Sequence, residues 1–185
     1  MLVTTEQLNK MAEATGKANH RWWIDLHTEE ALDRNAGEMC MLVVSELSES
    51  MEGDRKDLMD DKLPWRPMRE VEIADALIRL LDMAWHRLTP LNKSLSSYND
   101  GNFGNSVWMT DNYAENLFRV VHELVFLYYN MGQTYAYNKP ISMLFDIAAK
   151  YNMDIVGAYV DKSAYNVKRD DHKRENRLAE GGKAY

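Results

Sequence analysis

The chain has 185 residues, of which 45% are hydrophobic and 28% charged, a composition typical of a globular protein with a sizeable core. Its 29 acidic against 22 basic residues give a formal net charge of −7, which disfavours a surface for nucleic-acid polymers. The single cysteine excludes an internal disulfide, and no apolar run approaches the roughly 20 residues of a membrane span. Because acidic residues also interrupt the N-terminal segment, we expect a cytoplasmic protein that binds no membrane.

Helical periodicity dominates the first part of the chain. Thr4 or Thr5 can cap a first helix that runs to about Lys17. An aromatic-rich connection follows, HRWWIDLHTEEALDR, part of which we expect to be helical. Asn35 is then placed to cap a second long helix, which we expect to end within residues 53–57.

Two further helices are predicted on either side of a long polar loop. Pro67 suits the first turn of helix three, which runs to about Leu88. Residues 89–111 are rich in Gly, Ser and Asn and predict a surface loop that interrupts the helical pattern. Asn112 then starts helix four, and Pro140 is expected near the start of helix five.

The last predicted helix leaves two alternatives open. It either breaks around residues 152–154 or continues to about Arg169. The segments together predict an all-α bundle of four or five helices. We expect residues 1–169 to form one domain and residues 170–185 to form a loosely ordered tail.

Four acidic residues form two pairs on neighbouring predicted helices: Glu46 and Glu49 on helix two, and Glu72 and Asp75 on helix three. The i,i+3 spacing places each pair on one helix face, beside apolar residues. One such pair alone is typical of a solvated surface. If the two helices pack antiparallel, however, the four carboxylates converge and need a divalent cation between them. Oxygen ligands of this kind favour Mg²⁺ or Mn²⁺ over Zn²⁺.

The pattern resembles the ExxE…ExxD motif of the MazG-like all-α nucleoside triphosphate pyrophosphohydrolases, a superfamily that includes dimeric all-α dUTPases and dCTP pyrophosphatases. RNAGEMCMLVVSELSESMEGDR and VEIADALIRLLDMA are similar to its two metal-binding helices, and DKSAYNVKR is similar to its KxxxNxxR element. The resemblance extends from about Trp23 to Arg169. It implies a MazG-like bundle that cleaves a nucleoside triphosphate between the α- and β-phosphates, and a homodimer or a dimer of dimers.

The resemblance also implies roles for the acidic residues. Glu46, Glu49, Glu72 and Asp75 would hold Mg²⁺, with Glu46 and Glu49 as the catalytic pair and Glu49 orienting the attacking water. Asp82 lies seven residues after Asp75 on the same helix face. It is expected either to assist the site or to pair with an arginine of its own helix.

The basic stripe near the C-terminus is interpreted as the phosphate side. Lys162, Asn166 and Arg169 are spaced by four and three residues, so a continuous helix would align them, with Tyr165 beside them. The alternative is a solvated basic helix end, which the helix dipole favours.

Three aromatic residues are candidates for the nucleobase pocket. Trp23 and His27 resemble positions that contact the base in dCTP-directed relatives, and Trp65 offers a second stacking surface. Core packing is the alternative for Trp23, and an ordinary surface position is the alternative for His27.

Two other function classes are alternatives to the hydrolase. Ferritin-like di-metal proteins need Glu three residues before a metal-binding His, and none of the five histidines has one. A non-catalytic helical module that forms oligomers or binds nucleotides stays open, because 12 Met and many aromatic residues suit an adaptable binding surface. In such a module the four acids should tolerate substitution.

Overall fold

The computed structural model describes residues 3–88 and 107–183, and within these ranges the secondary structure is helical. Isolated bridges join Ile24 to Ala31 and Met59 to Pro67, and no extended strand occurs in the described ranges. The predicted all-α class is therefore confirmed. The helices are α1 Thr5–Asn19, α2 Ala36–Lys56, α3 Met68–Leu88, α4 Tyr113–Tyr129, α5 Thr134–Lys150, α6 Ile155–Lys168 and α7 Arg174–Leu178, with 3₁₀ turns at His20–Trp22 and Asp170–His172.

The starts of three helices follow the predicted caps. The Thr4 hydroxyl accepts a hydrogen bond from the backbone N–H of Gln7, whose side chain accepts from the Thr4 N–H in return. Asn35 and Asn112 cap α2 and α4 in the same way, by accepting from the backbone N–H three residues later. Each cap satisfies a donor that the first helical turn leaves free.

In the C-terminal half the structure corrects one expectation and decides between two alternatives. Helix α5 begins at Thr134, so Pro140 lies inside it and not near its start. The break at residues 152–154 is confirmed: Asn152 adopts φ +54°, and Asp154 caps α6 by accepting from the Gly157 N–H at 3.0 Å. The described ranges thus contain six long helices instead of four or five. Of the predicted loop 89–111, residues 89–106 lie outside the described ranges.

Helix α3 is the centre of the fold, because it packs against α1, α2, α5 and α6. Its side chains Ile73, Leu77 and Leu81 are fully buried. Helix α2 runs antiparallel to it: Ser50, late in α2, donates to the carbonyl of Arg69, early in α3, at 2.9 Å. This arrangement sets the acidic segments of the two helices side by side.

A glycine fixes the approach of α1 to α3. A Cβ atom at Gly16 would overlap the indole of Trp85, and the Gly16 carbonyl lies 3.2 Å from Nε2 of His86. The two helix backbones can approach this closely only because residue 16 has no side chain.

The segment after α6 packs against the connection between α1 and α2. Arg177 is 5% exposed, and its guanidinium lies 3.9 Å from the centre of the Trp22 ring. Arg174 donates to the carbonyl of Leu26 at 2.7 Å. The described part of the predicted tail, residues 170–183, is therefore held to the helical body at these points. None of the described helices combines the length and apolarity that a membrane span requires.

Candidate metal centre

Three carboxylates from two antiparallel helices converge at one point. Glu46 of α2 and Glu72 and Asp75 of α3 each present an oxygen, and these oxygens all lie within 4.8 Å of one another. Glu46 and Glu72 are buried, whereas Asp75 is partly exposed. This all-oxygen donor set is suited to a hard divalent cation such as Mg²⁺.

Glu49 stands apart from this convergence. Its side chain is exposed on α2, one turn after Glu46. Its charge nevertheless contributes to raising the pKa of both Glu46 and Glu72, so it lies within electrostatic range of the buried acids. The structure thus brings three of the four predicted ligands together and leaves the fourth at the rim, facing solvent.

The cluster is electrostatically costly without a cation. The pKa of Glu72 is raised to about 9, chiefly by burial and also by the neighbouring carboxylates, against the lowering effect of Lys162. Burial also raises the pKa of Glu46, against the lowering effect of Arg79. A bound divalent cation would favour the ionised forms of all three acids, which gives the residues present a physical reason to bind one.

Lys162 is a positive charge that the fold places beside the carboxylates. Its Nζ lies 2.9 Å from Oδ2 of Asp75, and only 6% of its side chain is exposed. Asn166, one turn later on α6, reaches the other oxygen of Asp75 with Nδ2 at 3.5 Å, while its own Oδ1 is buried without a hydrogen-bond partner. Two of the three predicted phosphate ligands therefore adjoin the carboxylates.

Arg169 does not extend this stripe. Helix α6 ends at Lys168, and Arg169 has extended backbone with φ −66° and ψ 124°. Its guanidinium binds Asp171 at 2.7 and 2.9 Å and lies 5.9 Å from the ring centre of Tyr165. The spacing argument assumed a helix through residue 169, whereas the chain turns away there.

Arg79 is a residue of the site that the sequence analysis did not select. Its Nε donates to Oε1 of Glu46 at 3.1 Å, and its side chain is 40% exposed. The signal was present in the sequence, because Arg79 lies four residues after Asp75 and so one turn further on the same face.

The three candidate base-contacting residues lie in different surroundings. Trp23 is 6% exposed, whereas Trp65 is 65% exposed and donates from Nε1 to Asp161 at 3.4 Å. His27 is exposed in a turn where its backbone N–H donates to Asp25. Trp65 and His27 are thus accessible, but Trp23 matches the alternative of a packed residue.

Trp23 is enclosed by polar and charged groups. Its ring stacks on His86 with 4.3 Å between ring centres, and its Nε1 donates to Oδ2 of Asp82 at 3.2 Å. The guanidinium groups of Arg34 and Arg87 lie 5.5 and 5.7 Å from its ring centre. Asp82 therefore accepts from Trp23 instead of joining the metal cluster, and burial raises its pKa to about 7.

Chemically, the site combines buried carboxylates that can hold a cation, a buried lysine beside them, and an exposed carboxylate at the rim. Such a combination suits binding of a polyanion through a bridging metal, with a base available for a water molecule. Comparison of the chain with protein-family models, curated proteins and solved structures found no match. The functional interpretation therefore depends on this geometry and on the motifs.

Proposed function

We propose that this chain is a Mg²⁺-dependent nucleoside triphosphate pyrophosphohydrolase with the MazG-like all-α architecture. The observation that carries the proposal is the convergence of Glu46, Glu72 and Asp75 from antiparallel helices, with Lys162 buried against them. The products are a nucleoside monophosphate and pyrophosphate, and we expect a deoxynucleoside triphosphate as substrate.

The carboxylates supply the metal ligands in this mechanism. Glu46, Glu72 and Asp75 would hold Mg²⁺, which supplies Lewis-acid stabilisation of phosphate charge, and Glu49 would complete the set from the rim. Because Glu49 is exposed, its carboxylate is free to orient a water molecule for attack on the α-phosphorus. Mn²⁺ suits the same donors.

Three hydrogen-bond donors of the site, two of them cationic, would serve the phosphate chain. Lys162 and Asn166 approach from α6, and Arg79 approaches from the side of Glu46. All three side chains lie beside the carboxylates and can donate to phosphate oxygens, and Lys162 and Arg79 also bring positive charge to where negative charge develops. Arg169 and Tyr165 lie at the end of α6 and would take part only if the Arg169–Asp171 pair opens.

The proposal includes a homodimer, or a dimer of dimers, formed through the outer face of α4. Phe118, Val125 and Tyr129 are spaced by seven and four residues on that helix and are 71%, 56% and 77% exposed. Phe126, Tyr128 and Tyr135 are exposed nearby in sequence. A run of large exposed apolar side chains on one helix favours burial against another protein surface.

A product panel tests the activity. The protein is incubated with Mg²⁺ and each canonical dNTP, each NTP and dUTP, and the products are separated by anion-exchange chromatography. We expect equimolar monophosphate and pyrophosphate from at least one substrate, no turnover in EDTA and none with Glu72→Gln. Nucleotide binding without any product at high protein concentration would instead support the non-catalytic module.

A further inference from the structure

A second group of polar residues follows the metal cluster along the same face of α3. Asp75, Arg79, Asp82 and His86 are spaced by four, three and four residues, so they form one stripe. Asp82 lies roughly 10 Å along the helix axis from Asp75, at 1.5 Å per residue. If a nucleotide bound along this stripe with its phosphates near Asp75, its other end would therefore lie near Asp82.

Asp82 is buried with half of its hydrogen-bonding capacity unused. It is 5% exposed, and Oδ2 accepts from Trp23 Nε1 while Oδ1 has no hydrogen-bond partner. His86 Nε2 lies 3.6 Å from Oδ1, but this nitrogen also faces the carbonyl of Gly16 at 3.2 Å. Burial lowers the pKa of His86 to about 4, so at neutral pH its one ring proton can satisfy the Gly16 carbonyl and leave Oδ1 unpaired.

Two arginine nitrogens in the same cluster also lack partners. Nη2 of Arg34 and Nε of Arg87 are buried without a hydrogen-bond acceptor, although Arg87 binds Asp33 through Nη1. Both guanidinium groups adjoin Trp23, and Asp82 acts electrostatically on Arg34. A free acceptor and free donors therefore occur around one indole ring, where each unmade hydrogen bond costs stability.

The chemistry of these groups defines the ligand they fit. The unpaired carboxylate oxygen would repel a phosphate, and the two guanidinium groups would repel a metal ion. A neutral planar ring that presents a hydrogen-bond donor beside an acceptor satisfies both, and the Watson–Crick edge of every nucleobase has this form. Residues 27–33 are exposed, and Leu32 of this segment donates its backbone N–H to the carbonyl of Trp23 at 2.8 Å, so a surface segment adjoins the cluster.

We propose that Asp82 and Arg34 recognise the hydrogen-bonding edge of the substrate's nucleobase, with Trp23 as a positioning residue that holds Asp82. This inference depends on the proposed function, because it takes the metal cluster as the phosphate end of the same site. It assigns Trp23 a different role from base stacking: the indole fixes Oδ2 of Asp82 so that Oδ1 is presented to the base.

Base recognition can be tested separately from hydrolysis by comparing the affinity for ligands with a nucleobase and the affinity for a ligand without one. Calorimetry with Mg²⁺ compares non-hydrolysable α,β-imido analogues of dATP, dCTP, dGTP and dTTP with inorganic tripolyphosphate. We expect the native chain to bind at least one analogue about tenfold or more tightly than tripolyphosphate. In Asp82→Asn, an amide N–H₂ replaces the free acceptor, so that preference should fall about tenfold while tripolyphosphate affinity stays within about twofold.

The matched control is Asp146→Asn. Asp146 is also buried and accepts a hydrogen bond from an indole, that of Trp108, at 2.8 Å, but it lies on α5. It should leave the preference unchanged. Arg34→Met provides a second variant that should lower the preference even if Asp82→Asn fails to fold, and melting temperatures verify that each variant is folded.

The outcomes distinguish the two ideas. An unchanged preference in Asp82→Asn and Arg34→Met, or a native chain that binds tripolyphosphate as tightly as every analogue, would overturn base recognition by this cluster and leave the hydrolase proposal standing. A native chain that binds neither tripolyphosphate nor any analogue would contradict both base recognition and the hydrolase proposal.

Discussion

Lys162 places its ammonium group 2.9 Å from Oδ2 of Asp75, with 6% of the lysine side chain and 15% of the aspartate side chain exposed. Burial alone would lower the pKa of Lys162, but Asp75 and Glu72 outweigh it and raise that pKa. The pair joins α6 to α3 and introduces a positive charge beside the converging carboxylates. It therefore links the stability of the bundle to the charge balance of the candidate site.

Replacing Lys162 with Met should make stability depend on Mg²⁺. The buried acids lose their counter-charge, so we expect a loss of about 3 kcal/mol in the free energy of unfolding in EDTA. Millimolar Mg²⁺ should restore more of the melting temperature in this variant than in the native chain. Lys168→Met, an exposed lysine on the same helix, is the control, and an equal loss in both variants would refute the role of the pair.

Mg²⁺ should stabilise the native chain through Glu72. A ligand that binds only the folded state at 100 times its dissociation constant adds about 2.7 kcal/mol to the free energy of unfolding. Thermal unfolding across a Mg²⁺ titration measures this gain, which Glu72→Gln should remove in large part. A melting temperature that does not respond to millimolar Mg²⁺ would argue against a preformed metal centre.

Glu49→Gln should abolish turnover without unfolding the protein. Gln is a good helix former and Glu49 is exposed, so we expect a change in stability within about 0.5 kcal/mol. The measurement is the steady-state rate on the best substrate of the panel, together with the melting temperature. Glu52→Gln, one turn later on α2, should keep full activity; if Glu49→Gln also keeps it, Glu49 is not the residue that orients water.

Asp82→Asn should stabilise the protein increasingly as the pH rises. Burial raises the folded-state pKa of Asp82 from 3.8 to about 7, so between these values the unfolded state releases the proton first. Ionisation therefore costs the native chain stability in that window, by on the order of 4 kcal/mol above pH 7, and the variant avoids this cost. Urea unfolding from pH 4.5 to 8 measures the difference, with the exposed Asp57→Asn as control; a constant difference would contradict the prediction.

Val125→Asp should disrupt the proposed homodimer. An aspartate in the middle of the exposed apolar face of α4 would lose its hydration in any interface there. Light scattering coupled to size-exclusion chromatography should give the mass of a dimer or tetramer for the native chain and a lower mass for the variant. Val160→Asp on α6, where the valine is equally exposed, should leave the mass unchanged. A monomeric native chain would rule out the assembly.

The sequence predicted best those features that depend on residues close together in the chain. Asn35 and Asn112 cap their helices because capping depends on residues within one turn. The i,i+3 acids were found for the same reason, since helix geometry alone sets their faces. The antiparallel packing that brings Glu46 near Asp75 was only a condition of the sequence argument, and the structure supplies it through contacts such as that of Ser50 with Arg69.

Features set by distant contacts were not predictable in this way. The burial of Trp23 depends on His86 and Asp82, about sixty residues later, and Arg34 joins the cluster through the same fold. The turn at Arg169 reflects its pairing with Asp171 and the packing of the following segment. Such contacts produce no periodic pattern in the sequence. Arguments from residue spacing therefore assign these residues to the wrong neighbours.

The close approach at Gly16 has a consequence for how sequences with this architecture can change. Any side chain at position 16 would occupy the space of the Trp85 indole, so a larger residue there demands a smaller one at position 85. Chains that share this fold should therefore show correlated substitutions at the two positions, with the combined volume kept nearly constant. A pair that grew at both positions would have to separate α1 from α3.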